Sequence, residues 1–236
     1  MKHRFLAVPA LLAAIAVLSV DAVPVRAEGR PVPVAGTALQ NHFSVTVLES
    51  INVGTDQVPD AQRWKTTVSG NSSMTLMIEL ASDANGNSLG VYNAGDVSPA
   101  LFEIFPGTAV AGQYAMASFR PLTSQLLVTL FNGDGTVASS TTHNGVTTNN
   151  FGYYISSGAG GTGYSQDARN AGDTARMLVF KGTGDNAGNW WMCFEDNNPN
   201  DPDDDRDFDD AVVFVESINP TPVAHTSWSA LKSRFR

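Results

Sequence analysis

The chain has a single cysteine, Cys193, in 236 residues. A lone cysteine forms no internal bridge, so the fold must hold without disulfides. Its neighbours, NWWMCF, are apolar and aromatic. A nucleophilic thiol needs a basic, partly open setting, so a buried, inert thiol is expected. Positive charge is also scarce: 14 Lys and Arg stand against 23 Asp and Glu, a net charge of −9. A surface of that sign is repelled by nucleic acid and anionic lipid, which excludes both as partners. Catalytic signatures are missing. No serine stands in G-x-S-x-G and no H-E-x-x-H occurs. His42, His143 and His225 fall in loop-like or terminal stretches. Acids are plentiful enough that a two-carboxylate glycoside hydrolase stays as a distant alternative. The reading is a protein that is not an enzyme, because so dense an acidic cluster suits a cation better than an acid/base pair.

Long apolar runs are absent except at the start. Lys2, His3 and Arg4 precede the apolar stretch Phe5–Val20, and Val25 and Ala27 form a V-x-A cleavage pattern. This is the layout of a secretory signal peptide over 1–27. The apolar stretch is short for a membrane span, which needs roughly 20 residues. Export to the cell surface or the medium is therefore expected, with no membrane span after cleavage. Loss of Lys2, Arg4 and Arg26 against Asp21 leaves the remainder more acidic still.

A sustained helical period is lacking too. What recurs instead is short strand-like runs between Gly, Asn, Asp, Ser and Pro. They are FSVTVL (43–48), MTLMIEL (74–80), SLGVYN (88–93), LFEIF (101–105), YAMASF (114–119), QLLVTLF (125–131), FGYYIS (151–156), RMLVFK (176–181), NWWMCF (189–194) and AVVFVE (211–216). Several alternate in polarity, which fits strands with one buried face. Turn signals separate them: NGN at 85–87, NGDG at 132–135 and GTGDNAG at 182–188. The expectation is an all-β, jelly-roll-like β-sandwich of about ten short antiparallel strands. It spans 37–216 as one domain, with a flexible lead-in over 28–36. Residues 217–236 read as a linker and a short basic tail.

The densest feature is FEDNNPNDPDDDRDFDDAVVFVE, Phe194–Glu216. Between Glu195 and Asp210 it holds eight aspartates, one glutamate and one arginine. Asp201, Asp203, Asp205, Asp207 and Asp209 fall at every second residue, and in an extended segment they would share one side. Such a row repels itself unless water or a cation intervenes. Calcium takes six to eight oxygens at about 2.3–2.6 Å, many from carboxylates on flexible loops. Softer metals would want His or Cys, and only Cys193 is near. A solvated acidic loop is the plain alternative. Three details favour calcium. Glu195 and Asp196 directly follow one strand, Asp209 and Asp210 directly precede another, and the apolar Phe208 points to a loop folded back on the core. The candidate ligands are Glu195, Asp196, Asp205, Asp207, Asp209 and Asp210. An EF-hand is rejected. Counted from Asp205, position six is Asp210 rather than glycine, and AVVFV before Glu216 reads as strand. Gly158, Gly160 and Gly163 match G-x-G-x-x-G, but no helix opens after them, so they read as a flexible loop.

The F-E-D turn followed by DRDFDDAVVFV resembles the hallmark of the bacterial domain-of-unknown-function family numbered 4114. Its form is F-E-D, a short Gly/Asp loop, then D-x-D-[FY]-N-D and an apolar strand. Upstream, FGYYISSGAGGTGYSQDARNAGDTARMLVFKG is similar to the family's stretch before F-E-D. IELASDANGNSLGVYNAGDVSPALFEIFPGTAVAGQY is similar to a segment that accompanies it in exported bacterial proteins, some with PEP-CTERM tails. The likeness covers roughly residues 70–216. It implies a secreted β-sandwich whose acidic loop binds calcium. By position, Glu195 and Asp196 match E-D, Asp205 and Asp207 match D-x-D, and Asp210 matches the last Asp. Asp209 departs from the usual Asn. The gap is unusually acidic, which leaves open whether Asp201, Asp203 and Asp204 are ligands. No Pro-Glu-Pro motif follows residue 216. The role implied is a binding or adhesion module whose partner is a glycan, a matrix component or a surface protein. A purely structural matrix protein is the rival. Exposure of Trp190 or Trp191 would favour sugars, and burial of both would favour the structural role.

Overall fold

A computed structural model describes residues 38–67, 70–79, 86–158, 160–197 and 205–221. The signal, the lead-in, residues 222–236 and Asp201, Asp203 and Asp204 lie outside the described residues. Thirteen strands form two antiparallel sheets. They are β1 (Trp64–Thr66), β2 (Asn71–Glu79), β3 (Ser88–Asn93), β4 (Leu101–Phe105), β5 (Tyr114–Arg120), β6 (Gln125–Phe131), β7 (Val137–Asn144), β8 (Phe151–Ser157), β9 (Gly161–Tyr164), β10 (Met177–Lys181), β11 (Trp190–Phe194), β12 (Ala211–Val215) and β13 (Ile218–Pro220). The six-stranded sheet runs β13-β1-β8-β3-β4, with β9 also on β8. The seven-stranded sheet runs β10-β11-β12-β2-β5-β6-β7. The chain passes between the sheets repeatedly, so the molecule is an all-β sandwich. No helix of the described residues is long and apolar enough to cross a membrane.

Alternation builds the inner faces. In β5 and β6 the inward residues pair across the ladder: Ala115 with Leu130, Ala117 with Val128, Phe119 with Leu126. They join one apolar core with Val91, Phe105, Phe151 and Tyr153 of the facing sheet. β10, β11 and β12 do not alternate, and the reason is a cover on their outer side. Leu178, Phe180, Trp191, Cys193 and Val212 point away from the main core. They form a second core with Leu39, Phe43, Ile51, Val53 and Phe208. Strands buried on both faces read as continuous apolar runs.

That cover corrects the first expected strand. FSVTVL is not a strand: a short α-helix, α1 (Ala38–Asn41), runs into a π-helical turn over His42–Thr46. The relevant period is Leu39 to Phe43, one helical turn apart and both fully buried. Val45, which a strand would place on the same face as Phe43, is 70% exposed. Two further corrections concern segments read as loops. Ile218–Pro220, assigned to a linker, is β13 and pairs with β1. Gly161–Tyr164, assigned to a flexible glycine loop, is β9 and pairs with the end of β8. The Ser- and Thr-rich β7 was not expected either. Seven of its eight residues are exposed, so no apolar alternation marks it.

Candidate metal centre

The site begins with strand register. β11 and β12 are antiparallel neighbours, and Phe194 pairs with Ala211. The next residues outward are Glu195 and Asp210, so the ladder sets two carboxylates against each other. Like charges placed opposite destabilise a sheet end. Here the backbone holds them in place. The Asp196 N–H donates to Asp210 Oδ2 at 2.8 Å. The Glu195 N–H donates to the Arg176 carbonyl at 3.1 Å, and Arg176 Nε returns a bond to the Glu195 carbonyl at 2.9 Å.

The facing sheet supplies the floor. Ser157, the last residue of β8, donates from Oγ to the Asp196 carbonyl at 3.1 Å. The Gly160 N–H donates to that Oγ at 2.8 Å. Asn87, directly before β3, donates from Nδ2 to Asp196 Oδ2 at 2.8 Å. Gly160 lies so close that a Cβ there would stand 1.9 Å from the Asp196 carbonyl oxygen. The glycine of the G-x-G-x-x-G match is thus a contact point of the acidic turn.

The second half of the run is anchored by Phe208, which is fully buried in the second core. This is the fold-back its apolar character suggested. Arg206 and Phe208 take φ of 54° and 59°, left-handed values that non-glycine residues adopt only when the surroundings hold them. The Asp209 N–H donates to Asp207 Oδ1 at 3.2 Å. Arg206 and Asp205 face solvent and Asp207 is half-buried, while Asp209 and Asp210 are buried.

Five of the six expected ligands fall into two oxygen groups. Glu195, Asp196 and Asp210 each offer a carboxylate oxygen, all within 4.8 Å of one another. Glu195, Asp205 and Asp207 do the same. Asp209 joins neither group, but its carboxyl is within hydrogen-bonding reach of Asp207. The electrostatics are unfavourable at Asp207, Asp209 and Asp210. Burial, with the neighbouring charge of Asp207, pushes the Asp209 carboxyl up to about 7. Burial also pushes Asp210 up to about 6, against the bond from the Asp196 N–H. Asp207 is raised, first by burial and then by the charge of Asp205. Asp196 Oδ1, Asp209 Oδ2 and Asn87 Oδ1 are buried with no hydrogen-bond partner among the described residues. A buried polar atom left unsatisfied costs roughly 1–3 kcal/mol, and more when charged. The donor set is hard oxygen, the kind that suits a cation such as calcium or magnesium. The nearby thiol of Cys193 is fully buried, and burial with the charge of Asp209 raises its pKa well above the ordinary value.

The described histidines, His42 and His143, stand apart from these groups. His42 packs edge-on against Trp191, and His143 Nε2 bonds the Glu103 carbonyl at 2.8 Å. Glu216 lies at the opposite end of β12 from Asp210, where its carbonyl accepts from Ser72 Oγ at 2.6 Å. Trp190 and Trp191 are both buried. Sequence reasoning missed Asn87, Ser157 and Gly160 as parts of the site. Asn87 is 109 residues from Asp196, in a turn whose N-G-N spelling signals only a bend. No protein-family model, curated protein or solved structure matches the chain.

Proposed function

We propose that this protein is an exported, non-catalytic β-sandwich whose acidic loop holds calcium as a structural staple. The supporting observation is the buried, unpartnered carboxylate oxygen of Asp196, set among Glu195 and Asp210. A protein has little reason to bury several carboxylates at one strand end unless a cation satisfies them. Calcium fits better than magnesium, because a loop of many carboxylates with irregular spacing meets its flexible demand for ligands. The resemblance to the family numbered 4114 agrees with export and with calcium.

The role of the staple is to fix a surface segment in an extracellular module for binding or adhesion. Its partner would be a glycan, a matrix component or a surface protein. Burial of Trp190 and Trp191 removes the sugar-stacking platform considered for that role. It favours the second reading, a structural extracellular protein in which calcium serves folding alone.

Thermal melts with calcium, with magnesium and with a chelator test the staple. A ligand bound only by the folded state adds about 2.7 kcal/mol at a hundredfold excess over its dissociation constant. Calcium should raise the melting temperature selectively, and Asp196→Asn with Asp210→Asn should abolish the rise. Identical melts in all three conditions would return the run to a solvated acidic loop.

A further inference from the structure

Glu195 belongs to both oxygen groups. One group, Glu195 with Asp196 and Asp210, is wholly buried. The other, Glu195 with the half-buried Asp207 and the exposed Asp205, opens toward solvent. Two oxygens bound to one calcium at about 2.4 Å stand at most about 4.8 Å apart. Each group meets that limit by itself, and the carboxylates divide into two groups rather than one.

Each group also has an unsatisfied atom within it or beside it. At the inner group Asp196 Oδ1 is buried without a partner. So is the Oδ1 of Asn87, whose amide sits on Asp196. Next to the outer group, Asp209 Oδ2 is buried without a partner among the described residues, beside the Asp207 carboxyl. Close carboxylate pairs occur at both: Glu195 with Asp210 within the inner group, and Asp207 of the outer group with the adjoining Asp209. Each pair needs a positive charge between its oxygens. Charge gives the same answer. The described loop residues and their hydrogen-bond partners bring Glu195, Asp196, Asp205, Asp207, Asp209 and Asp210 together with only Arg176 and Arg206. One divalent cation leaves that corner negative; two bring it close to neutrality.

We infer that the corner holds two divalent cations side by side, bridged by the Glu195 carboxylate. Glu195, Asp196, Asp210 and the Asn87 side-chain oxygen hold the inner ion. Glu195, Asp205 and Asp207 hold the outer one, with Asp209 behind Asp207. This rests on the cation reading above and adds the number of ions and the bridge. The inner ion ties strand ends together. The outer ion, next to solvent, is the more readily exchanged.

Native mass spectrometry and calorimetry of the chelator-stripped full chain, titrated with calcium, test the pair. The wild type should take two ions. Asp205→Asn with Asp207→Asn should take one, with unchanged circular dichroism, because these side chains reach solvent. Asp201→Asn with Asp203→Asn and Asp204→Asn should still take two. Glu195→Gln, whose amide offers a single carbonyl oxygen, should weaken both ions at least tenfold. Terbium-soaked wild-type crystals should show two anomalous peaks roughly 3.5–4 Å apart, the usual spacing of a two-metal site. One ion in the wild type, lost with Asp196→Asn and kept with Asp205→Asn plus Asp207→Asn, overturns the pair and leaves the single staple standing. Loss of the second ion with the Asp201, Asp203 and Asp204 substitutions overturns the outer ligand set. No bound ion at all overturns the pair and the staple together.

Discussion

The least replaceable residue at the site carries no charge. Gly160 lets the β8–β9 turn approach the Asp196 carbonyl, and a methyl group there has no room. Gly160→Ala should cost about 1–3 kcal/mol, the usual range for overpacking. It should also weaken calcium binding, because the displaced partner is the acidic turn itself. Melting temperature and calcium affinity read the two effects, and an unchanged affinity would detach the glycine from the site. The carboxylates make a second residue-scale prediction, for the chelator-stripped protein. Asp209 and Asp210 sit near 7 and near 6 when folded, above the ordinary 3.8. Between those values the folded state binds more protons than the unfolded state, so stability falls as pH rises. The melting temperature in chelator should decline from about pH 4 to about pH 7 through these two groups. Saturating calcium should remove that decline, since the ion takes the place of the protons. A chelated protein whose melting temperature rises across the window would contradict this crowding.

At the scale of elements, the N-terminal segment is held by one buried carboxylate. Glu49 accepts from the Thr183 N–H at 2.7 Å, the Thr183 hydroxyl, Asn186 Nδ2 at 2.8 Å and the Trp191 indole at 3.1 Å. Burial alone would raise its pKa, but these four bonds outweigh it and hold the carboxyl below the ordinary value. The stabilisation is present above the unfolded-state value and is lost as pH falls through the folded one. Hydrogen bonds to a charged group contribute about 1.5–3 kcal/mol, so Glu49→Ala should destabilise by at least about 2 kcal/mol. It should also loosen the cover over Trp191 and Cys193, raising the rate at which a thiol reagent labels Cys193. Labelling as slow as in the wild type would mean that Leu39 and Phe43 suffice to hold the cover. This element was the one most misread in sequence. F-S-V-T-V-L alternates and is rich in β-branched residues, so the local signal favours a strand. The contact that decides lies outside the window, where Leu39 and Phe43 dock on the outer face of β10–β12. Tertiary packing overrides propensity there. Where one face alone is buried, as in β5 and β6, alternation located the strands to within a residue.

At the scale of the molecule, the acidic corner is one place where side-chain hydrogen bonds tie the two sheets together. Glu195, Asp196 and Asp210 leave β11 and enter β12, in the seven-stranded sheet. Asn87 directly precedes β3 and Ser157 ends β8, both in the six-stranded one. The sequence displayed the first half openly, as F-E-D and D-R-D-F-D-D flanking apolar strands. It concealed the second half, because an asparagine before one strand and a serine at the end of another carry no mark of what they face. Their role follows only from the sandwich that brings β3 and β8 beneath the β11–β12 loop. A cation in this corner therefore acts on the packing of one sheet against the other, beyond the ordering of its own loop. Amide exchange can tell the two apart, since protection reports the free energy of local and global opening. Adding calcium to chelated protein should slow exchange in β3 and β8 as well as in β11 and β12. Asn87→Ala should keep the protection of β11 and β12 and reduce that of β3. Protection confined to residues 195–210 would make the ion a clasp on a single loop. The union of the two sheets would then rest on the apolar core between them.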